Sequence, residues 1–307
     1  MSSAEGLAAE FTTHRAYLLG VGYRLTGSLA DAEDAVQESW LRLSGLTETA
    51  RAEITELRAW LTTVVGRICL DRLRSAAARR ERYVGPWLPE PLVTDASGEG
   101  QNPLDVVVRD DGVRMAALVV LDRLSPPQRV AFVLHDAFGV PFGEIAELLG
   151  LSAEAARQHA ARARRAVADA DPPARPAVAE QQEVLGRFLA AMASGDVRAV
   201  IELLHPDAVL VGDSDGKAKT AFNIISGADK VARFILGLQN RYSVASYAGM
   251  RFVLVNGELG IYLPAWPGDE HHPPFNRRVL GVTIHDGRLS ALYDVVNPDK
   301  LTRVGQP

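Results

Sequence analysis

The chain has 307 residues, enough for two or three domains, and 47% of them are apolar, which fits folded material. A formal net charge of −5 argues against a uniformly basic nucleic-acid binder, so any such contact must rest on local charge. One cysteine, Cys69, excludes an internal disulfide framework and suits a reducing cytoplasm. Met1 to Phe11 lacks the basic start and apolar stretch of a signal peptide, and the longest apolar run, Met115 to Leu121, is too short to span a bilayer. A cytosolic protein without a membrane partner is expected.

Residues 5–83 read as almost entirely helical. Gly27-Ser28 separates a first helix from the next, with Ser28 as cap. In that second helix Leu29, Ala32, Val36, Trp40 and Leu43 fall at three- and four-residue steps and form one apolar face. Asp31, Asp34 and Glu38 make an acidic stripe on another. The stripe reads as simple solvation, with carboxylates favouring the helix N-terminus, or as a docking face for a basic partner. From Leu57 to about Tyr83 the chain has no Pro and no Gly except Gly66. Leu57, Leu61, Val64, Val65 and Ile68 give its buried side.

The segment Arg58 to Arg82 is strongly basic. Arg58, Arg67, Arg72, Arg74, Arg79, Arg80 and Arg82 stand against only Asp71 and Glu81. Trp60, Thr63, Arg67, Asp71 and Arg74 recur at helical spacing and should share one face. Such a face binds phosphates through Arg and stacks bases on Trp. A solvated helix with i,i+4 pairs, such as Arg67 with Asp71, accounts for the same residues.

Residues 84–111 change character. Gly85-Pro-Trp-Leu-Pro-Glu-Pro-Leu92 forces extended backbone, and Asp95 to Asn102 has the composition of a mobile linker. A helical domain is expected at 112–172. Ser125-Pro-Pro-Gln128 reads as a capping box with Pro in the first turn. Glu144-Ile-Ala-Glu-Leu-Leu-Gly150 reads as a helix closed by Gly. Ser152 caps a last helix carrying Arg157, Gln158, His159, Arg162, Arg164 and Arg165. This is a helix-turn-helix pattern, and its last helix has the side chains that read base edges and phosphates. Arg157, Gln158 and Arg162 are the candidate groove or phosphate contacts, with Arg165 serving phosphates or the helix C-terminus. Ile145, Leu148, Leu149, Leu151 and Ala156 read as packing. An Arg-rich surface helix in a plain bundle is the alternative.

Asp171-Pro-Pro-Ala-Arg-Pro176 breaks the chain again. Beyond it Glu180 to Ala193 and Gly227 to Asn240 read as helices. His205 to Asp213, Ala245 to Val255, Leu259 to Ala265, Arg278 to Ile284 and Leu289 to Val296 read as strands. Asn256-Gly257 and Asp286-Gly287 are hairpin dipeptides. Helices followed by an antiparallel meander indicate a separate α+β domain. There is no internal repeat.

The three helical features, in this order, resemble bacterial sigma factors of the extracytoplasmic-function (ECF) class. The matching residues are Tyr23-Arg-Leu-Thr-Gly27, the stretch Asp31 to Arg42, Arg58-Ala-Trp-Leu61 and the Glu144 to Arg165 helix-turn-helix with Arg162-Ala-Arg164, and the resemblance extends over residues 5–170. The resemblance implies a region 2 domain at 5–83 that docks on core RNA polymerase through Asp31, Asp34, Gln37, Glu38 and Arg42. It implies that Arg58, Trp60, Thr63, Arg67, Asp71 and Arg74 melt and read the −10 promoter element. It implies a region 4 domain at 112–172 that reads the −35 element through Ser152, Arg157, Gln158, Arg162 and Arg165. An acidic helix for polymerase and basic helices for promoter DNA would reconcile the negative net charge with DNA binding.

Trp87-Leu88-Pro89-Glu90-Pro91-Leu92 in the linker and Asn297-Pro298-Asp299-Lys300-Leu301 near the end resemble motifs of the ECF group with a fused SnoaL-like C-terminal domain, an α+β cone, here at 178–301. That group's Asp-Gly-Gly-Gly-Lys motif appears as Asp213-Ser-Asp-Gly-Lys217, which keeps Asp213 and Lys217 but lacks two Gly. The resemblance implies regulation in cis. A Pro-stiffened segment docks at low entropic cost on a tethered domain, here near 213–217 and 297–301. Trp87 packing on its own helical domain is the alternative.

SnoaL-like folds carry an apolar pocket, and Asp294, Asn297, His205, Tyr242, Trp266, His271 and His272 are candidates to line or rim one. No catalytic pair is fixed by spacing and no third metal ligand accompanies His271-His272, so no catalytic residue, metal or cofactor is expected. An unidentified small molecule in this pocket is the further partner. The free chain is expected to be a monomer. Two other readings stand beside the sigma factor. One is an operator-binding helix-turn-helix regulator with a SnoaL-like sensor, which leaves the Asp31 to Arg42 helix unexplained. The other is a SnoaL-like isomerase or cyclase.

Overall fold

The computed structural model describes residues 2–80, 82–95, 113–170, 174–242 and 244–304. Asp95 to Asn102 as a mobile stretch falls, apart from the backbone of Asp95, outside the described residues, as do the side chains of Arg79, Arg80 and Glu81. The chain forms two compact units. Of the described residues, one comprises 2–80, 113 and 117–170; the other comprises 82–95, 114–116, 174–242 and 244–304. The segment at 82–95 thus belongs with the C-terminal α+β unit, not with the helices on either side of it in sequence.

The first unit is helical. Helices α1 (Ser2–Thr26), α2 (Leu29–Ser44) and α4 (Leu57–Arg80) pack on one another, with the short α3 (Glu48–Ala52) between. Ser28 caps α2 by accepting the Asp31 N–H. Leu29, Ala32, Val36 and Leu43 are buried as their spacing requires, and Trp40 is half-buried against the Phe11 ring. Then come α5 (Met115–Asp122), α6 (Pro126–Phe132), α7 (Phe142–Leu149) and α8 (Ala153–Ala170). Gln128 closes the capping box by accepting the Ser125 N–H at 3.1 Å. After α6 the backbone widens into one π turn, Val133–Ala137, which the sequence pattern does not reveal. Gly150 ends α7 at φ 69°, a left-handed conformation that only glycine adopts without strain.

Helices α6 and α7 rest directly on α4. A Cβ at Gly66 would lie 3.0 Å from methyl carbons of Leu134 and Leu148, so the lone glycine of α4 marks the closest approach. Arg129, only 3% exposed, ties α6 to α1 by donating to the Leu25 carbonyl at 3.0 Å. Leu151, expected to pack, is instead 41% exposed, because it occupies the turn between α7 and α8 and not either apolar face.

The second unit holds helices α9 (Val178–Ser194), α10 (Val197–Leu203) and α11 (Ala228–Arg241) beside a seven-stranded sheet. Its strands are β1 (Val93–Asp95), β2 (Leu204–Asp213), β3 (Ile225–Ser226), β4 (Arg251–Val255), β5 (Glu258–Leu263), β6 (Arg278–His285) and β7 (Arg288–Val295), in the order β1-β4-β5-β6-β7-β2-β3. The expected meander is β4 to β7. The sheet is nevertheless mixed, because β2 runs parallel to β7 and the linker strand β1 extends the far edge. The expected strand 245–255 begins only at Arg251, since Val244–Tyr247 forms a 3-10 turn. Asn256 (φ 54°) with Gly257 (φ 81°) and Asp286 (φ 50°) with Gly287 (φ 67°) make the two tight hairpins. The core lies between helices and sheet, around Leu185, Phe188, Val231, Leu259, Val282 and Leu289.

Cys69 is fully buried on α4. Burial pushes its thiol up to about 12, with Arg72 pulling it down and Asp31 pushing it up by smaller amounts. The thiolate is the reactive form. Cys69 should therefore resist iodoacetamide at pH 8 in native protein and be alkylated in urea, as read by mass spectrometry. Alkylation of native protein at the rate of a free thiol would contradict this packing.

Candidate polymerase, promoter and linker sites

The predicted polymerase face lies on α2. Asp34, Gln37 and Arg42 are exposed, and Asp31 and Glu38 partly so. The stripe is not free of partners. Arg72 of α4 pairs with Asp31 at 2.6 Å and Asp34 at 3.4 Å, and Arg42 pairs with Glu38 at 2.5 Å. This corrects the view that the basic segment meets only Asp71 and Glu81. The packing of α4 on α2 supplies two further acids that linear spacing does not show.

On α4, Arg58, Arg67, Asp71 and Arg74 are exposed while Trp60 and Thr63 are half-buried. Asp71 pairs with Arg74 at 3.7 Å. Trp60, Thr63 and Arg67 share a groove with Leu41, Arg42 and Leu46 from the end of α2. Two of these side chains are already engaged. The Arg58 guanidinium sits 3.8 Å from the centre of the Tyr17 ring, and the Thr63 hydroxyl donates to Glu144 of α7 at 3.3 Å.

The helix-turn-helix presents Ser152, Arg157, Gln158, Arg162 and Arg165 to solvent. Ser152 caps α8 by accepting the Ala155 N–H. Arg157 and Gln158 both reach back to Glu154, at 3.3 and 3.5 Å. Arg164 pairs with Asp136 at 2.6 Å and so braces α8 against the π turn.

A dense polar cluster in the C-terminal unit surrounds Asp213, which has no exposure at all. Its carboxylate accepts the Leu88 N–H at 2.6 Å, the Tyr83 hydroxyl, and the Lys300 ammonium at 2.6 Å. Its backbone carbonyl accepts the N–H groups of Val296 and Asn297. Lys300 also donates to the Leu88 carbonyl and lies 4.1 Å from the centre of the Trp87 ring. Asn297 donates to the Tyr83 oxygen at 2.8 Å. Burial first, then the Asp213 hydrogen bond and charge, raise the Tyr83 phenol far above its ordinary value, so it stays a neutral donor. Leu88, Pro89, Glu90, Pro91 and Leu92 are buried, and so is Leu301. Pro298 and Asp299 are exposed.

The 213–217 loop forms without the missing glycines. Only Asp215 (φ 50°) and Gly216 (φ 68°) enter the left-handed region, and Asp tolerates it better than most residues. Asp215 also accepts the Val84 N–H at 3.2 Å. Lys217 is exposed and bonds Asp299 at 2.5 Å and Asp215 at 3.1 Å, so it joins this loop to the C-terminal turn and leaves the linker to Asp213. At the far end Asn256 and Leu92 exchange two hydrogen bonds, at 2.8 and 3.1 Å, and β1 pairs with β4. Tyr83 and Asn256 are linker contacts outside the stretches that the sequence points to. The adjacency of Tyr83 to the Pro-rich segment was the one available signal.

Of the pocket candidates, Asp294 and Tyr242 line a cavity between helices and sheet. His205 instead stacks on His285 with ring centres 5.5 Å apart, Asn297 serves the linker, and His271 and His272 gather round Asp269 in a surface loop. Trp266 pairs with Phe275 in an isolated bridge. Among the described residues no His, Cys, Asp and Glu cluster could hold a metal ion, and no helix is long and apolar enough to cross a membrane.

Replacing Asp213 by Ala should release the linker. It strands the Leu88 amide and leaves Lys300 without its carboxylate, at about 3–5 kcal/mol for breaking a buried pair. Hydrogen exchange at the Leu88 and Leu92 amides is the measurement, and unchanged protection in a folded variant would show that the carboxylate does not hold the segment.

The family model described as Sigma-70 region 2 matches residues 11–79, and that of Sigma-70, region 4 matches 114–167. The ECF RNA polymerase sigma factor SigJ of Mycobacterium tuberculosis is 51% identical over 300 residues, covering 96% of this chain and 93% of the relative. The crystal structure of M. tuberculosis SigJ aligns with a TM-score of 0.80 at 49% identity, covering 96% of this chain and 98% of that one. A probable ECF sigma factor from the same species, SigI, is 37% identical over 77% of this chain and 78% of its own. With the two helical regions and the α+β unit all spanned by these matches, the chain belongs to the ECF family of RNA polymerase sigma factors.

Proposed function

We propose that this sigma factor acts in the cytoplasm as a single copy on core RNA polymerase and is controlled in cis by its own C-terminal unit, which holds the segment at 83–95. The observation that carries the reading is the Asp213 cluster: a fully buried carboxylate whose hydrogen-bond donors include two groups from that segment. In this scheme Asp31, Asp34, Gln37, Glu38 and Arg42 meet the polymerase, and Arg72 releases the two aspartates as they dock. The pairs to be exchanged are solvent-exposed or half-exposed, so the exchange costs little. The α4 face from Arg58 to Arg74 reads the −10 element, and Thr63 must leave Glu144 to do so. Ser152, Arg157, Gln158, Arg162 and Arg165 read the −35 element. By role, the domain limits are taken as 5–83, 84–111, 112–172 and 178–301, with Tyr83 at the end of the first also serving the held segment. A small molecule in the C-terminal cavity is the further input.

Run-off transcription with purified core polymerase tests the reading, using the full chain and a version ending near Pro176. Promoter-specific transcripts that differ in amount between the two establish cis control and give its sign. Equal transcription from both would reject it. Asp31→Arg with Asp34→Arg should weaken core binding while the helical circular dichroism is retained, and unchanged core affinity would move the docking face elsewhere. Arg157→Ala should cost about 1–3 kcal/mol in −35 use if it makes a bidentate base contact, read as the ratio of transcription from intact and mutated −35 elements.

A further inference from the structure

The cavity of the C-terminal unit has a volume of about 330 Å³. That lies in the range of small-molecule sites, roughly 300–1,000 Å³. Its wall is mostly apolar, with Phe188, Phe234, Tyr242, Ile261 and Leu292 prominent. Two charged side chains interrupt it. Asp294 is 4% exposed and Arg278 is 7% exposed. They pair with each other at 3.1 Å, through Asp294 Oδ2, which also accepts the Thr220 hydroxyl at 2.5 Å. A second close approach makes that bond available. At Gly212 a Cβ would sit 2.7 Å from the Ala221 carbonyl oxygen, so glycine alone lets the 220–221 segment lie against β2 and bring Thr220 to Asp294.

These bonds consume one oxygen of Asp294. The other, Oδ1, is buried and has no hydrogen-bond partner among the described residues, and the same holds for Arg278 Nε and for Gln239 Oε1 at the cavity wall. A buried carboxylate oxygen without a donor costs free energy that a bound donor would recover. The ion pair is internally balanced, so the floor favours neither a net anion nor a net cation. An anion would meet Asp294 and a cation would meet Arg278, each in largely apolar surroundings.

We propose that this cavity takes a neutral, largely apolar molecule bearing a hydroxyl group, which it donates to Asp294 Oδ1. The proposal rests on reading the cavity as the ligand site named above and sets the chemistry of its occupant. It needs neither polymerase nor promoter, so its failure is separable from failure of the sigma-factor scheme.

The test is calorimetric titration of the full chain at pH 7 with four probes of similar shape: 2-naphthol, naphthalene, 1-tetralone and 2-naphthoate. Saturable binding of 2-naphthol is expected, at least tenfold tighter than naphthalene or 1-tetralone, with 2-naphthoate weakest. In Asp294→Asn the carbonyl oxygen must face Thr220 and Arg278, which are both donors, so the amide NH2 takes the place of Oδ1. The preference should then invert, with 1-tetralone bound more tightly than 2-naphthol. A second variant, Met192→Trp, fills the cavity without touching its polar floor and should abolish 2-naphthol binding, which keeps the test decisive if Asp294→Asn fails to fold. Equal affinity for 2-naphthol and naphthalene, a preference for 2-naphthoate, no binding of any probe, or binding that survives Met192→Trp would each overturn the proposal.

Discussion

A carboxylate at position 213, taken wholly out of water, is the constraint on which the C-terminal unit and the linker both depend. Removing a carboxylate from solvent costs several kcal/mol unless donors surround it. Here they converge from separate stretches of chain: a phenol and an amide from the linker, and an ammonium from the 3-10 turn near the end. The same residue's carbonyl anchors the start of that turn. No one of these segments can move without leaving a buried polar group unsatisfied. The burial of Leu88, Leu92 and Leu301 follows from this arrangement, because hydrogen bonds fix the register in which those apolar side chains enter the core.

The helical unit obeys a different economy. Its candidate reading faces are held by pairs at the surface: Arg72 with Asp31 and Asp34, Arg42 with Glu38, Arg157 with Glu154. Pairs of this kind contribute little and are screened by salt, so they hold side chains in place and give them up readily. Affinity for a partner is then lost only slightly to desolvation of existing contacts. The buried Arg129, by contrast, bonds the Leu25 and Leu121 carbonyls and Asp122, and reads as pure architecture.

Cavity and linker cluster are built on one pair of strands. Asp294 of β7 lies opposite Gly212 of β2, and Val295 lies opposite Asp213. The carboxylate that faces the cavity and the carboxylate that holds the linker are therefore neighbours across a parallel ladder, one residue apart in register.

Much of this protein is determined by sequence within short windows. The Ser28 cap, the Ser125 to Gln128 box, the Gly150 stop and the Ser152 restart are set by backbone donors and by φ angles that few residues adopt, so they are readable residue by residue. The two hairpins at Asn256-Gly257 and Asp286-Gly287 are readable for the same reason, as are the apolar face of α2 and the exposed arginines of α8. The linker and terminal motifs could be recognised as segments by resemblance. Tertiary structure alone decided which atoms meet. Tyr83 reaches Asp213 across 130 residues, Leu92 reaches Asn256 across 164, and Arg72 reaches Asp31 across 41. It also decided that the linker would add a strand to the sheet, that Leu151 would face solvent, and that one oxygen of Asp294 would find no partner among the described residues. The physical reason is that periodicity and capping report local backbone geometry, whereas a buried hydrogen bond depends on the convergence of chain segments that share no local pattern.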